Sequence, residues 1–187
     1  MRILAPTIIM LASTTLVASA SAQTVSSASE AQSRTRVIAA SFSKFKNVSK
    51  TKRGITKSKY LRVTSEPAVR TNPADYSGVY EVSDFGLALN LNVDSRGVVT
   101  GSGTEPLTED VRRTFTLRDG RIQGALLTAT KVYANGRSER LEGAFMNRMT
   151  FESPTDKGST IFGLGTIGKT IQMHGQTFDR FFYEKTR

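Results

Sequence analysis

The sequence predicts an all-β fold: an antiparallel up-and-down barrel of about eight strands, with a β-sandwich as the alternative, behind a flexible basic N-terminal arm. Three observations lead there. From Tyr76 onward, apolar residues recur with a period of two, the spacing of a strand with one buried and one wet face. Turn-forming residues interrupt these runs at short intervals, so consecutive strands pair as hairpins. The charge is also segregated. Residues 1–72 hold 12 Lys and Arg against two acids, whereas residues 73–187 hold 14 of each sign. The net charge of +10 therefore belongs to a segment and not to the β region.

The first element reads as an address. Arg2 precedes an apolar run from Ile3 to Val17, followed by Ala18-Ser19-Ala20-Ser21-Ala22-Gln23. A positive start, an apolar centre and small residues at alternate positions form the pattern of a secretory signal peptide cut after Ala22. The run, interrupted by Pro6 and by Ser and Thr, is shorter than the roughly 20 apolar residues of a membrane span. Residues 1–22 are thus expected to be a signal peptide, and the protein periplasmic or extracellular. The chain has no Cys, which excludes disulfides, thiolate metal sites, cysteine nucleophiles and lipidation at a processed cysteine. Its single His, His174, excludes a multi-histidine metal site.

Residues 23–72 are rich in Ser, Thr, Ala, Lys and Arg, with too few large apolar side chains for a core of their own, and are expected to be the flexible arm. One stretch is patterned. Ile38, Phe42, Phe45 and Val48 are spaced +4, +3 and +3, so a helix over residues 36–50 would align them on one stripe. Basic helices of this kind lie on anionic membrane surfaces. Arg36, Lys44, Lys46, Lys50, Lys52, Arg53, Lys57 and Lys59 are therefore the candidates for binding an anionic membrane or envelope polymer. A plain disordered spacer is the competing reading. Nucleic acid is the least expected partner, because export removes the chain from most of it.

Residues 73–187 are expected to form the barrel. Strands are predicted over 76–83, 87–94, 98–104, 112–119, 121–134, 137–151, 159–167 and 169–184, the last with a potential break at His174-Gly175. Leu87, Leu89, Leu91 and Val93 alternate with Ala88, Asn90 and Asn92; Phe115 and Leu117 alternate with Thr114 and Thr116. Ser95-Arg96-Gly97, Asp119-Gly120, Asn135-Gly136 and Asp156-Lys157-Gly158 supply the residues that tolerate positive φ between strands. Barrel closure is favoured because it removes exposed edges.

The segment Tyr76-Ser77-Gly78-Val79-Tyr80, followed by an alternating strand and Asp94-Ser95-Arg96-Gly97-Val98-Val99-Thr100-Gly101, resembles the opening of avidin-type barrels and the wider calycin group, including lipocalins. In that group the first strand carries Gly-x-Trp, and Tyr80 stands at the Trp position. The resemblance covers about 30 residues and implies a small β-barrel. It does not imply biotin. Ser83 stands where avidins have Asn, Leu87 where they have Ser and Gly103 where they have Tyr, and the chain has no Trp.

Other motifs lack their physical context. Gly163-Leu164-Gly165-Thr166-Ile167-Gly168 matches the dinucleotide fingerprint by letter, but that fingerprint needs a helix after it, and Lys169 to Gly175 alternates like a strand. A glycine-dotted strand with close backbone packing is expected instead. His174 and Asp179 have no Gly-x-Ser-x-Gly elbow to complete a triad. Glu105, Glu109 and Asp110 read as a solvated acidic loop, without the ligand spacing of a calcium site. No catalytic residue, metal site or cofactor is expected. Tyr76, Tyr80, Phe145, Phe162, Phe178 and Phe182 are the candidate ligand-binding residues at the barrel mouth. The resulting expectation is an exported, non-enzymatic binding module that takes a small apolar ligand in its barrel or a macromolecule at its rim. Its rival is a periplasmic or secreted interaction or inhibitor protein with a filled barrel and an envelope-attaching arm. No feature of the sequence fixes the oligomeric state.

Overall fold

The structure, a computed structural model, describes the backbone of residues 27–52, 55–107, 111–151, 158–173 and 176–187. Among the described residues are the α-helix α1 (Ala28–Ser41) and the strands β1 (Lys44–Lys52), β2 (Ile55–Pro67), β3 (Gly78–Val82), β4 (Leu87–Val93), β5 (Val98–Pro106), β6 (Arg112–Gln123), β7 (Leu126–Tyr133), β8 (Ser138–Phe151), β9 (Ser159–Met173) and β10 (Gln176–Lys185). Each strand from β3 to β10 pairs antiparallel with the next. β10 returns to β3 through Glu184↔Glu81 and Lys185↔Tyr80. The result is a closed, eight-stranded up-and-down barrel with two further strands attached, as the alternation and turn spacing predict.

Two hairpin turns lie elsewhere than the sequence suggests, and the shifts leave the strand count unchanged. Asp119-Gly120 is no chain reversal. It is a bulge inside β6, where Asp119 takes φ 52° and the register with β7 slips between Arg118 and Arg121. The reversal comes at Gly124, which has φ 62°. Gly168 behaves alike: with φ 90° it bulges within β9, which continues to Met173. The turns at Gly97 and Gly136 are as predicted. Asp94 Oδ1 accepts from Arg96 N and Val98 N, and Asn135 Oδ1 accepts from Arg137 N, so each Asx side chain organises its own turn. His174-Gly175 and most of Asp156-Lys157-Gly158 lie outside the described residues.

The segment expected as an arm carries regular structure from Ser27 on. Ser27 caps α1 by accepting from Glu30 N at 3.2 Å. Ala31, Thr35, Ile38, Ala39 and Phe42 then fall on one buried stripe. This stripe packs on the outer wall of the barrel against Leu126, Ala144 and Met146. The helix is therefore 28–41 and not 36–50, and Ile38 and Phe42 face the barrel wall. From Lys44 the chain becomes β1, which pairs antiparallel with β2 from Lys44↔Val63 to Lys52↔Ile55. Residues 23–26 and Arg53 lie outside the described residues.

β8 is shared. Its first half pairs with β7 as far as Ala144↔Leu126, and on the same edge its second half pairs with β2 from Met146↔Pro67 to Phe151↔Arg62. The β1–β2 ribbon is thereby sewn onto the barrel by one of the barrel's own strands. Inside, Leu89, Leu91, Phe115, Leu127, Phe145 and Leu164 belong to one continuous apolar core.

Candidate functional site

Three places combine chemistry with position: the two ends of the barrel and the ribbon. At one end, Asn72 starts the 3-10 turn Pro73–Tyr76 by accepting from Ala74 N, which drives Tyr76 into the barrel. The Tyr76 ring stacks on Phe145 at 4.2 Å, and Phe162 lies parallel to Phe145 at 6.2 Å. Tyr76 Oη donates to Ala68 O at 2.8 Å, with Gly124 O at 3.0 Å, and accepts from Arg70 N at 2.8 Å. Tyr80 Oη donates to Tyr76 O at 2.6 Å. Burial pushes the pKa of both phenols above the ordinary tyrosine value, so both stay neutral donors. Arg70 and Lys185 cover the stack from outside, at 4.7 Å and 5.9 Å from the Phe162 ring. These aromatics form a plug.

The six expected mouth residues thus separate. Tyr76, Tyr80, Phe145 and Phe162 make the plug. Phe178 sits at the opposite end, edge-on to Phe85 at 4.7 Å. Phe182 points outward and meets Phe42 of α1 at 6.2 Å.

The opposite end, the mouth, holds a buried ionic network. Glu105 is 0% exposed in β5 and not in a solvated loop. Its position is in phase with the inward-facing Val99 and Gly103. Glu105 Oε2 accepts from Lys131 Nζ at 2.9 Å; Glu105 Oε1 accepts from Arg113 Nε at 2.8 Å and from Tyr133 Oη at 2.7 Å. Glu139 extends the network to Arg137 at 3.0 Å. Lys131 is inward by the same parity that buries Leu127 and Ala129. The pKa of Tyr133 is pushed up by burial, then by its bonds to Glu105 and Glu139. The alternation of β5 and β7 carried a signal for this network, since both charged residues fall on inward positions. Glu109 and Asp110 lie outside the described residues.

Beside the network the barrel wall opens. The β8–β9 ladder ends at Gly143↔Thr166, while β9 beyond Thr166 stays with β10 through Ile167↔Arg180 and Ile171↔Phe178. The bulge at Gly168 turns β9 away from β8. A recess of ≈ 350 Å³ results, lined by Leu141, Phe181, Tyr183, Thr166 and Lys131, with Arg34 and Arg140 at its rim. Among the described residues no group of three His, Cys, Asp or Glu could hold a metal ion. Nor is any helix there long and apolar enough to cross a membrane.

The ribbon sorts its residues by register. Lys44↔Val63, Lys46↔Leu61, Val48↔Lys59, Lys50↔Lys57 and Lys52↔Ile55 are the cross-strand pairs of one face. Four of these five join a lysine to an aliphatic residue. Lys44 and Arg36, the latter on α1, are exposed.

Gly163 and Gly165 lie in β9, and the chain after them continues as strand to Met173. A Cβ on Gly165 would meet Phe42 Cε2 at 2.7 Å and Met146 Cε at 2.5 Å. Gly165 admits α1 to the wall, while a Cβ on Gly163 would meet Tyr183 O and the Phe182 ring, so both pack closely as expected. Compared with known proteins, the chain matches no protein-family model, no curated protein and no solved structure, so the fold class rests on the strand pairing: a closed eight-stranded antiparallel barrel, compatible with a calycin-type arrangement.

Proposed function

We propose that the protein is an exported, non-enzymatic interaction module in which a packed barrel serves as scaffold and the basic β1–β2 ribbon attaches to an anionic membrane surface. The observation that carries this reading is the register that sets Lys46, Lys59 and Lys52 opposite Leu61, Val48 and Ile55 on one ribbon face. Lysines meet lipid phosphates while aliphatic residues enter the boundary below them. The ribbon takes over the role expected of a helix, whose apolar stripe is buried on the barrel. Each lysine near an anionic surface contributes about 1 kcal/mol. Replacing Lys46, Lys50, Lys57 and Lys59 by Gln is therefore expected to weaken binding to vesicles containing anionic lipid by well over tenfold. Cosedimentation with those vesicles, and with purely zwitterionic ones, tests it. Equal binding to both vesicle types, or to neither, overturns the reading.

A second reading, a small ligand held by the barrel, is supported by the recess between β8 and β9. Its ≈ 350 Å³ lies at the small end of ligand pockets, which run from about 300 to 1,000 Å³. Native mass spectrometry of the protein purified from its own secreted or periplasmic fraction tests it. A retained adduct lost on denaturation supports the ligand, and a bare mass counts against it.

A further inference from the structure

We infer that the recess in the barrel wall between β8 and β9 is a binding site for a small organic carboxylate with a compact apolar body. The inference rests on the second reading, that the barrel takes a small ligand, and adds its chemistry.

At the rim of the recess two guanidiniums meet on one carboxylate. Arg34 Nη2 and Arg140 Nη2 both lie 2.9 Å from the same oxygen, Glu142 Oε2. Behind them, Lys131 and Arg113 share Glu105. Glu139 balances Arg137 as well as Arg113, and Glu30 approaches Arg34 only to 3.8 Å. A guanidinium has five N–H donors in a fork that fits a carboxylate, and one shared oxygen uses a minority of those of Arg34 and Arg140. An arriving carboxylate would complete both.

The interior of the recess supplies the other half. Leu141 and Phe181 present apolar surface, and both are nearly water-free. Thr166 and Tyr183 add hydroxyls at its floor and are themselves 6% and 4% exposed. Leu141 is held by β8 on one wall of the gap, Thr166, Phe181 and Tyr183 by the paired strands β9 and β10 on the other, and Arg34 is brought over it by α1. No neighbouring chain segment among the described residues fills the gap, because β8 and β9 stop pairing at Gly143↔Thr166. The site is therefore a product of three features: the Gly168 bulge, the docking of α1 and the inward Lys131. An apolar body with one anionic end fits the apolar interior and the remaining donors of Arg34 and Arg140, which it would share with Glu142, itself part of the lining.

Benzoate, benzyl alcohol and benzylamine, which share one ring and differ in charge, test the proposal on the full mature chain. Titrations are followed by amide chemical shifts. Benzoate is expected to shift the resonances of Leu141, Thr166, Ile167 and Phe181 saturably, with benzyl alcohol at least tenfold weaker and benzylamine inactive. Arg34→Gln with Arg140→Gln, both at the partly exposed rim, is expected to weaken benzoate at least tenfold while leaving the melting temperature within a few degrees. If benzyl alcohol binds as well as benzoate, the carboxylate proposal fails and the small-ligand reading survives. If none of the three shifts these residues, both fail. Benzoate binding unchanged in the double variant also overturns the proposal.

Discussion

Lys131 Nζ lies 2.9 Å from Glu105 Oε2, and the two side chains are 4% and 1% exposed. An ion pair removed from water to this degree costs solvation on both sides, and its two halves depend on each other. Arg113 and Tyr133 also bond to the carboxylate, so Glu105 links four strands: β5, β6, β7 and, through Glu139, β8.

Glu105→Gln is therefore expected to destabilise the fold by about 3–5 kcal/mol, because Lys131 keeps its charge in a place prepared for a pair. Removing both charges with Glu105→Met and Lys131→Met is expected to recover most of that loss. Urea unfolding of Glu105→Met, of Lys131→Met and of the double variant closes the cycle that checks it. A cycle with no coupling between the positions would refute the buried pair.

Gly165→Ala tests the seat of the helix. The added methyl would overlap the Phe42 ring, and overpacking of this kind costs about 1–3 kcal/mol. The flexible end of Met146 can yield; the ring is held by Phe182 on its other side. Trypsin cleavage after Arg34 or Arg36 is expected to accelerate in the variant. An unchanged digestion rate would mean that α1 is not seated on this glycine.

Tyr76→Phe keeps the stack on Phe145 and deletes the hydroxyl alone. Arg70 N and Ala68 O then lose their partner at a buried place, at a cost of about 1–3 kcal/mol. Thermal unfolding checks the size. A neutral outcome would show that the ring and not the hydrogen bonds closes that end.

The alkaline limit of the protein follows from its phenols. Tyr76, Tyr80, Tyr133 and Tyr183 all have their pKa raised, with burial the leading cause in each. The folded state holds these protons more tightly than the unfolded chain, whose tyrosines titrate near 10.0. The stabilisation is complete below pH 10 and is lost as pH rises toward the folded values. Ultraviolet titration should therefore show four of the five phenols ionising together with loss of structure. Smooth, independent ionisation of all five near pH 10 would contradict their burial.

Period two made the barrel legible from Leu87 to Tyr183, and Asn135-Gly136 marked its hairpin correctly. Positive φ did not separate a turn from a bulge, since Asp119 and Gly168 use the same backbone freedom as Gly124. Parity along β5 and β7 pointed Glu105 and Lys131 inward, but charge argued for solvent, and only the partners from neighbouring strands reverse that argument. The helix was misplaced because Phe45 and Val48 continue the spacing of Ile38 and Phe42 by coincidence. Small residues, Ala31 and Ala39, complete the true stripe, and they carry little hydrophobic signal. The six aromatic candidates were separated by direction: Phe182 has outward parity in β10, and the plug needs the inward turn at Asn72.

The shared edge of β8 also has a mechanical meaning. β2 and β8 run antiparallel from Arg62↔Phe151 to Pro67↔Met146, with hydrogen bonds perpendicular to both strands. A pull on the ribbon along its length strains that whole set of bonds at once, whereas a sideways pull would open them one after another. If the ribbon is the part that grips a surface, drag on the barrel reaches the joint in its strong direction. The tether would hold under flow as a lap joint holds, by overlap.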